Sequence, residues 1–269
     1  MRIALKIAYI GTDYHGSQVQ QDVDTIEGEL FRALRELDII KDPHDSNYIA
    51  AGRTDRGVHA LGQVVAFDTE KPDIAIPRAI NSKLPHSIWT WAHAPVAADF
   101  DPRRHSLYRE YRYIAYGKYD HQLLSQALDK LIGKHDFSNF STPDTERSGI
   151  CTVKKIEMRI DHDLTIIDIR ADRFLWHMVR KMVTALKMIG RAERDLLWLE
   201  NMLDPALFNE RLKLAPAYGL IFKNVEYKNI IWTEDAYSKN LRSKALEEEF
   251  FRHSIMAQIL REFMDRMRI

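Results

Sequence analysis

The chain contains a single cysteine, Cys151, among its 269 residues. One cysteine cannot form an intrachain disulfide or a cysteine-rich zinc site, which excludes a disulfide-stapled scaffold and a cysteine-based zinc domain. The formal net charge is zero, because 39 basic residues balance 39 acidic residues. A polyanion such as a nucleic acid would therefore have to bind a locally basic face, because the chain as a whole is not attractive to it.

Long hydrophobic runs and cofactor motifs are absent as well. No apolar stretch approaches the roughly 20 residues that a membrane-spanning helix needs, and the first residues alternate like a strand instead of forming a signal-peptide core. Neither a phosphate-binding P-loop nor a dinucleotide-binding glycine motif occurs, and no histidine pair has metal-binding spacing. We therefore expect a cytoplasmic protein with no cofactor, no metal and no membrane contact.

What remains is an ordinary globular composition, with 45% hydrophobic and 29% charged residues, long enough for one large domain or two modest ones. In the first half, alternating apolar residues predict strands at 2–9, 48–51, 63–67 and 87–93. Helical spacing predicts one helix up to Leu37, which begins after a capping box formed by Asp24 and Glu27, and a short helix over 77–84.

The second half has a similar pattern of apolar residues. This pattern predicts strands at 109–116, 152–160, 165–171 and 220–227, with a hairpin turn at 161–163. Helices are predicted at 120–132, 175–189, 193–202 and 239–267. Prolines and charged residues between 95 and 104 suggest a boundary, which gives a domain of residues 1–104 and a domain of residues 105–269 that ends in a helical extension. Two such units predict an α+β fold with antiparallel sheets.

The segment Gly52–Ala60 carries the most chemical information because it sets Asp55 between Arg53 and Arg56. Neighbouring guanidinium groups favour the ionised carboxylate, which suits a nucleophile or a charge stabiliser better than a proton donor. Gly52 and Gly57 would let the loop adopt backbone conformations that other residues resist. By itself this motif favours a simple surface turn with paired charges.

A second candidate is the strand around Arg109 and Tyr111. Arg109, Tyr111 and Tyr113 share one face of that strand, and Arg112 points to the other. An aromatic ring beside guanidinium groups can stack on a nucleobase near phosphates, although a tyrosine packed against a helix is the commoner case. Arg180 adjoins the apolar stripe of a helix and needs an acidic partner, for which Asp55 is a candidate.

In combination, these segments resemble the TruA family of tRNA pseudouridine synthases. The resemblance covers about residues 3–227 and rests on segments 4–16, 25–30, 51–60, 109–113, 133–140, 174–180 and 215–220. One departure is Ser17, which stands where the family usually has tryptophan or a related aromatic residue. We expect this change to leave the catalytic loop untouched.

The resemblance implies the pseudouridine synthase fold, with two RRM-like (ferredoxin-like) domains and a catalytic cleft between them. It implies isomerisation of uridine to pseudouridine in the tRNA anticodon stem-loop, at the family-typical tRNA positions 38, 39 and 40, without cofactor or metal. A homodimer that holds tRNA across basic clefts is implied too, which would reconcile RNA binding with zero net charge.

By matching position, Asp55 would be the catalytic carboxylate, Tyr111 would stack on the uracil and assist proton removal, and Arg180 would pair with Asp55. Arg53 would hold the flipped nucleotide, while Arg56 and Arg109 would contact the substrate or support the loop. Attack by Asp55 on ribose or uracil and removal of a ribose proton remain alternatives. A non-catalytic RNA-binding protein on RRM-like sheets is the competing hypothesis. A glycoside hydrolase would need a second facing carboxylate.

Overall fold

The first half of the chain folds as strand, helix, two strands, helix and strand. A computed structural model describes residues 1–143 and 148–267. Its first elements are β1 (Arg2–Tyr9), α1 (Ile26–Glu36), β2 (Ile49–Ala50), β3 (His59–Asp68), α2 (Pro77–Asn81) and β4 (Ile88–Val96). The predicted strands and helices of this half are all present, with shifts of a few residues at their ends.

The second half follows with a similar alternation that contains additional strands and helices. Its elements are β5 (Ser106–Tyr116), α3 (His121–Leu131), β6 (Gly133–Asp136), β7 (Ile150–Asp161), β8 (Leu164–Ala171), α4 (Met178–Gly190), α5 (Leu196–Met202), β9 (Leu220–Tyr227), β10 (Thr233–Glu234) and α6 (Ala236–Met267). The tight turn between β7 and β8 lies at the predicted hairpin.

The strands of both halves join into one ten-stranded sheet, in the order β10-β4-β1-β3-β9-β5-β8-β7-β6, with β2 paired to β3. Two separate sheets were expected from the sequence. They merge because β9 pairs in parallel with β3, through His59 with Ile221 and Ala60 with Phe222, while the other strand pairs are antiparallel. This pairing covers backbone groups that a free edge strand would leave unsatisfied.

Each half of the chain has its own hydrophobic core. The first contains side chains from β1 and α1, including Ile3, Leu5, Leu30 and Leu34. The second is built largely from α3, α4 and the strands beneath them, including Leu124, Leu128, Met182 and Leu186. Strand β9 serves both, because Leu220 belongs to the second core whereas Phe222 and Val225 belong to the first.

The starts of α1 and α4 differ from prediction for reasons that the structure shows, while α5 begins three residues later and α6 three residues earlier than predicted. Helix α1 is capped by Thr25, whose Oγ1 accepts from the Gly28 N–H at 3.2 Å. The capping box of Asp24 and Glu27 is therefore wrong. Helix α4 begins three residues later than predicted, because His177 adopts a left-handed backbone with φ of 67° and cannot continue a right-handed helix.

Helix α6 is a 32-residue extension that touches the sheet only near its start. The Arg242 guanidinium lies over the Trp89 ring at 5.0 Å, and Ser238 is buried. Further along, large apolar side chains are exposed: Ile255, Met256, Ile259, Leu260, Phe263, Met264 and Met267. Among the described residues, no helix combines the length and the apolar character needed to cross a membrane.

Candidate active site

Asp55 lies in a tight turn just before β3. The Val58 N–H donates to the Asp55 carbonyl at 3.1 Å, and Gly57 has φ of 78°, in the left-handed region that side chains disfavour. The expected backbone role of Gly57 is thus confirmed. Gly52 does not share it, because its φ lies outside that region and an added Cβ would meet nothing within 4 Å.

Thr54 anchors the turn from the side of the first core. Its hydroxyl shares a hydrogen bond of 2.8 Å with the Tyr9 hydroxyl. Its N–H donates to Ser17 Oγ at 2.8 Å, and its carbonyl accepts from the Ser17 N–H at 3.0 Å. Ser17 therefore contacts the loop directly, and the expectation that this position leaves the loop untouched is wrong. A small hydroxyl can reach the Thr54 backbone where an indole could not.

Replacing Ser17 by tryptophan is expected to lower the free energy of unfolding by about 3 kcal/mol, from overpacking and the lost acceptor for the Thr54 N–H. The reason is that only 4% of Ser17 is exposed. Ser17→Ala, which removes only the acceptor, should cost about 1 kcal/mol. Urea denaturation measures both values. A tryptophan variant as stable as the parent would contradict this view of Ser17.

The Asp55 carboxylate is surrounded by donors from the start of α4. Arg180 Nη1 lies 2.9 Å from Asp55 Oδ2, and Trp176 Nε1 donates to Oδ1 at 3.3 Å. His177 Nε2 lies 3.3 Å from Oδ2. Arg180 is fixed further by a bond from its Nε to the Ala215 carbonyl at 2.7 Å. The predicted pairing of Asp55 with Arg180 is present, between residues 125 positions apart.

Tyr111 packs beside this cluster and is held between two phenylalanine rings. Its ring centroid is 4.9 Å from that of Phe174 and 4.9 Å from that of Phe222. Burial raises the pKa of Tyr111 to about 12, so the phenol is protonated at neutral pH. It can stack or donate a proton, but it is not a preformed phenolate base.

Tyr113 shares the same face of β5 but cannot meet a ligand. It is 2% exposed, and its hydroxyl donates to the Pro216 carbonyl at 3.0 Å. Burial raises its pKa to about 12 as well. Between the two tyrosines that the strand pattern put on one face, the partly exposed Tyr111 is the one that a substrate could reach.

The predicted substrate-binding arginines separate into two groups. Arg53 and Arg56 flank Asp55 with exposed side chains. Arg109 is instead turned inward, where its Nη2 donates to the carbonyls of Ala51 at 2.9 Å and Arg103 at 2.7 Å. These bonds brace the start of the loop that carries Asp55. Substrate contact by Arg109 stays a prediction, and its present contacts favour loop support.

Sequence reasoning missed Trp176 and His177. The Trp176 indole is 58% exposed and stacks on the His177 ring at 4.6 Å. Thr142 Oγ1 lies 2.7 Å from His177 Nδ1. The sequence signal was their place four and three residues before Arg180, but the sequence does not predict a left-handed backbone at a histidine. Both side chains reach the Asp55 carboxylate.

Burial favours the neutral imidazole of His177 at pH 7. Burial lowers its pKa, the Asp55 carboxylate opposes that effect, and the cations of Arg180 and Lys181 add to it. The site therefore combines an anchored carboxylate, one guanidinium partner, a neutral imidazole and a protonated phenol. Such a set can stabilise or attack an electron-poor sugar or base carbon and can move a proton, without any redox step.

Comparison with known proteins gives one consistent match. The family model described as tRNA pseudouridine synthase matches residues 6–103 and 127–228. A protein of Methanosarcina mazei named tRNA pseudouridine synthase A is 52% identical over 98% of this chain and 99% of its own length. Proteins of the same name from Methanocella arvoryzae and Archaeoglobus fulgidus are 44% and 40% identical, over 100% and 98% of this chain and 100% and 97% of theirs.

Proposed function

Because the chain belongs to the tRNA pseudouridine synthase family, we propose that it isomerises uridine in the tRNA anticodon stem-loop, with Asp55 as the catalytic carboxylate. The family makes the protein an isomerase, so the non-catalytic RNA-binding alternative is wrong. The observation that supports Asp55 is its ion pair with Arg180 at 2.9 Å. This pair joins the two halves of the chain at a partly exposed carboxylate.

The reaction breaks the N1–C1′ bond of uridine, turns the uracil, and joins C5 to C1′. A base inside a stem is out of reach, so the target nucleotide must leave the stack. The exposed Arg53 is suited to hold the flipped nucleotide and to fill the place it leaves. Asp55 would then act on the ribose or the uracil, and Arg180 would keep the carboxylate ionised and oriented.

We propose that the halves are two RRM-like (ferredoxin-like) domains, 1–104 and 105–269, with the cleft between them. The first half has the order strand, helix, two strands, helix, strand, and the second half has the same order once its additional strand β6 and additional helix α5 are set aside. Strands adjoin as β4-β1-β3-β2 in one half and as β9-β5-β8-β7 in the other, which is the same arrangement. The two hydrophobic cores support the division.

Recognition of tRNA would depend on shape and backbone contacts, with base selection confined to the cleft. Arg53 and Arg56 give the rim of the cleft a local positive charge in a chain of zero net charge. We also propose a cytoplasmic location, where such a substrate would be met.

The test of this function is release of tritium from C5-labelled uridine in an unmodified tRNA anticodon arm. Release with a pseudouridine product is expected, because C5 exchanges its hydrogen for the bond to C1′. An arm whose candidate uridines are replaced by cytidine is the matched control. Pseudouridine formed only elsewhere in the tRNA would overturn the anticodon assignment, while leaving the family assignment intact.

The Tyr111 hydroxyl is expected to matter for turnover more than for binding. Tyr111→Phe keeps the ring between Phe174 and Phe222 but removes the phenolic proton. We expect kcat to fall about 100-fold, the usual scale of proton-transfer assistance, with KM for tRNA nearly unchanged. Single-turnover tritium release measures the effect. A large rise in KM at unchanged kcat would show that the hydroxyl serves binding instead.

We propose that the protein is a homodimer that covers the exposed apolar face of α6. Seven large apolar side chains between Ile255 and Met267 are too many for a free helix in water. A second copy fits this face, because an antiparallel pair of helices centred on Arg261 sets Ile255 opposite Met267 and Ile259 opposite Phe263. Like helices can therefore bury this face against each other.

Substitution on this face is expected to dissociate the dimer. Sedimentation equilibrium should give twice the 31.4 kDa chain mass for the parent and the single mass for an Ile259→Glu, Phe263→Glu variant. Gln258→Glu, on the polar side of the same turn, should remain dimeric. A parent that sediments as a monomer would contradict the homodimer, and a dimeric double variant would move the interface elsewhere.

A further inference from the structure

We propose that His177 is a positioning residue for Asp55. Thr142 holds the neutral imidazole so that it acts, beside Arg180, as the second partner of the carboxylate oxygen Oδ2. This inference rests on the proposed catalytic role of Asp55. The inference adds His177, which can titrate, to a site whose other charged members are the ion-paired Asp55 and Arg180.

The contacts on the two ring nitrogens select one tautomer. Asp55 Oδ2 lies 3.3 Å from Nε2, and an ionised carboxylate can only accept, so Nε2 must carry the proton. Nδ1 is then the acceptor for the Thr142 hydroxyl at 2.7 Å. Long contacts of this kind commonly tighten when substrate binds. Thr142 thus determines which nitrogen faces Asp55.

The backbone supports the same assignment. His177 has φ of 67° and occupies the cap position of α4, yet its side chain caps no helix N–H. Thr142 holds this unusual turn twice, because its own N–H also donates to the Trp176 carbonyl at 3.0 Å. A strained residue whose side chain makes no bond to its own helix and instead reaches a functional carboxylate is typical of an active site.

The charges that face His177 in the described residues come from two elements. The loop contributes Asp55, and α4 contributes Arg180 and Lys181, while Thr142 and the stacked Trp176 carry no charge. Burial and the two cations lower the pKa of His177 below its usual 6.5. The ring is therefore neutral at pH 7 and becomes charged on acidification.

Protonation would change the site in two ways. Nδ1 would gain a proton and could no longer accept from Thr142. Asp55 would also face a second cation beside Arg180, which would make the carboxylate a weaker nucleophile and a weaker base. Turnover should therefore fall as the pH drops through the lowered pKa of His177, and this acid limb should belong to the imidazole.

The decisive variant is His177→Asn. Asparagine tolerates the left-handed backbone and can still accept from Thr142, but it is too short to reach Asp55. We expect kcat to fall about 10- to 100-fold, the effect of a misplaced reacting group, with KM and RNA affinity within about twofold. The acid limb of the kcat profile below pH 6.5 should also lose its histidine component.

His177→Gln places an amide donor near the position of Nε2 and cannot titrate. It should recover part of the lost kcat without restoring the acid limb. Thr142→Val, which removes the tautomer-fixing hydroxyl at similar volume, should lower kcat while leaving RNA affinity unchanged. If His177→Asn fails to fold, as judged by its melting temperature, these two variants carry the test.

The outcomes separate this inference from the proposed function. Turnover by Asp55→Asn would overturn the catalytic role of Asp55 and, with it, the reason to position that carboxylate. An inactive Asp55→Asn together with a His177→Asn variant of parental kcat and unchanged acid limb would overturn only the role of His177. Equal losses in RNA affinity and kcat would also overturn it, because they would indicate a binding or folding role.

Discussion

Asp55→Asn is expected to remove turnover almost completely, by about 10⁴-fold or more, the scale seen when an essential catalytic group is deleted. Asparagine keeps the shape of the side chain and can still meet the Trp176 N–H, but it has no negative charge to act on ribose or uracil. The measurement is single-turnover tritium release from the anticodon arm at saturating enzyme. Asp55→Ala should behave alike, since the lost charge and not the lost contact limits the rate.

RNA affinity of the same variants should stay within about tenfold of the parent, or 1.4 kcal/mol. The carboxylate lies among arginines that attract phosphate, so its removal does not take away an RNA contact. Asp73→Asn, an exposed carboxylate away from the loop, is the matched control and should keep parental turnover. Measurable turnover by either Asp55 variant would exclude Asp55 as the catalytic group.

The second large effect is expected from Arg180→Ala, which should reduce both stability and turnover. Removing one partner of a buried ion pair lowers the free energy of unfolding by about 3 to 5 kcal/mol. The lower end of this range applies here because the pair is partly exposed, with 14% of the Arg180 side chain and 27% of the Asp55 side chain accessible to solvent. The variant also leaves the Ala215 carbonyl without its guanidinium donor. Turnover should fall about 100-fold, because the carboxylate loses its orientation.

Urea denaturation and single-turnover kinetics measure the two effects separately. Arg180→Lys keeps the charge but cannot serve Asp55 and the Ala215 carbonyl together, so it should fall between parent and alanine variant. Arg191→Ala, at the far end of the same helix and paired with Glu193 at 3.8 Å on the surface, is the control and should change stability by less than about 1 kcal/mol. A stable and fully active Arg180→Ala variant would contradict the proposed pairing role.

Much of the fold follows from periodicity alone. Strands such as β1 and β9 and helices such as α3 were located because their apolar residues repeat with the strand or helix period. The joining of the two halves into one sheet was not predictable. It depends on the parallel pairing of β3 with β9, in which His59 pairs with Ile221, 162 residues further along the chain. No local pattern encodes such a pairing.

The site shows the same division between local and non-local information. Arg180 was matched to Asp55 because a cation beside an apolar stripe requires a carboxylate. The inward turn of Arg109 was not visible, since its partners are backbone carbonyls that any residue can offer. His177 escaped notice because a left-handed histidine follows from tertiary contacts with Thr142, and propensity says nothing about it.

The short parallel contact between β3 and β9 makes the activity of the protein depend on the folding of both halves. Asp55 precedes one of these strands and Arg180 belongs to the opposite half, so the reactive pair exists only when both halves have folded and docked. A half-folded chain would present the Asp55 carboxylate without its guanidinium partner. With Asp55 in its proposed role, activity should therefore report native assembly, and local opening between β3 and β9 should abolish turnover before either hydrophobic core unfolds.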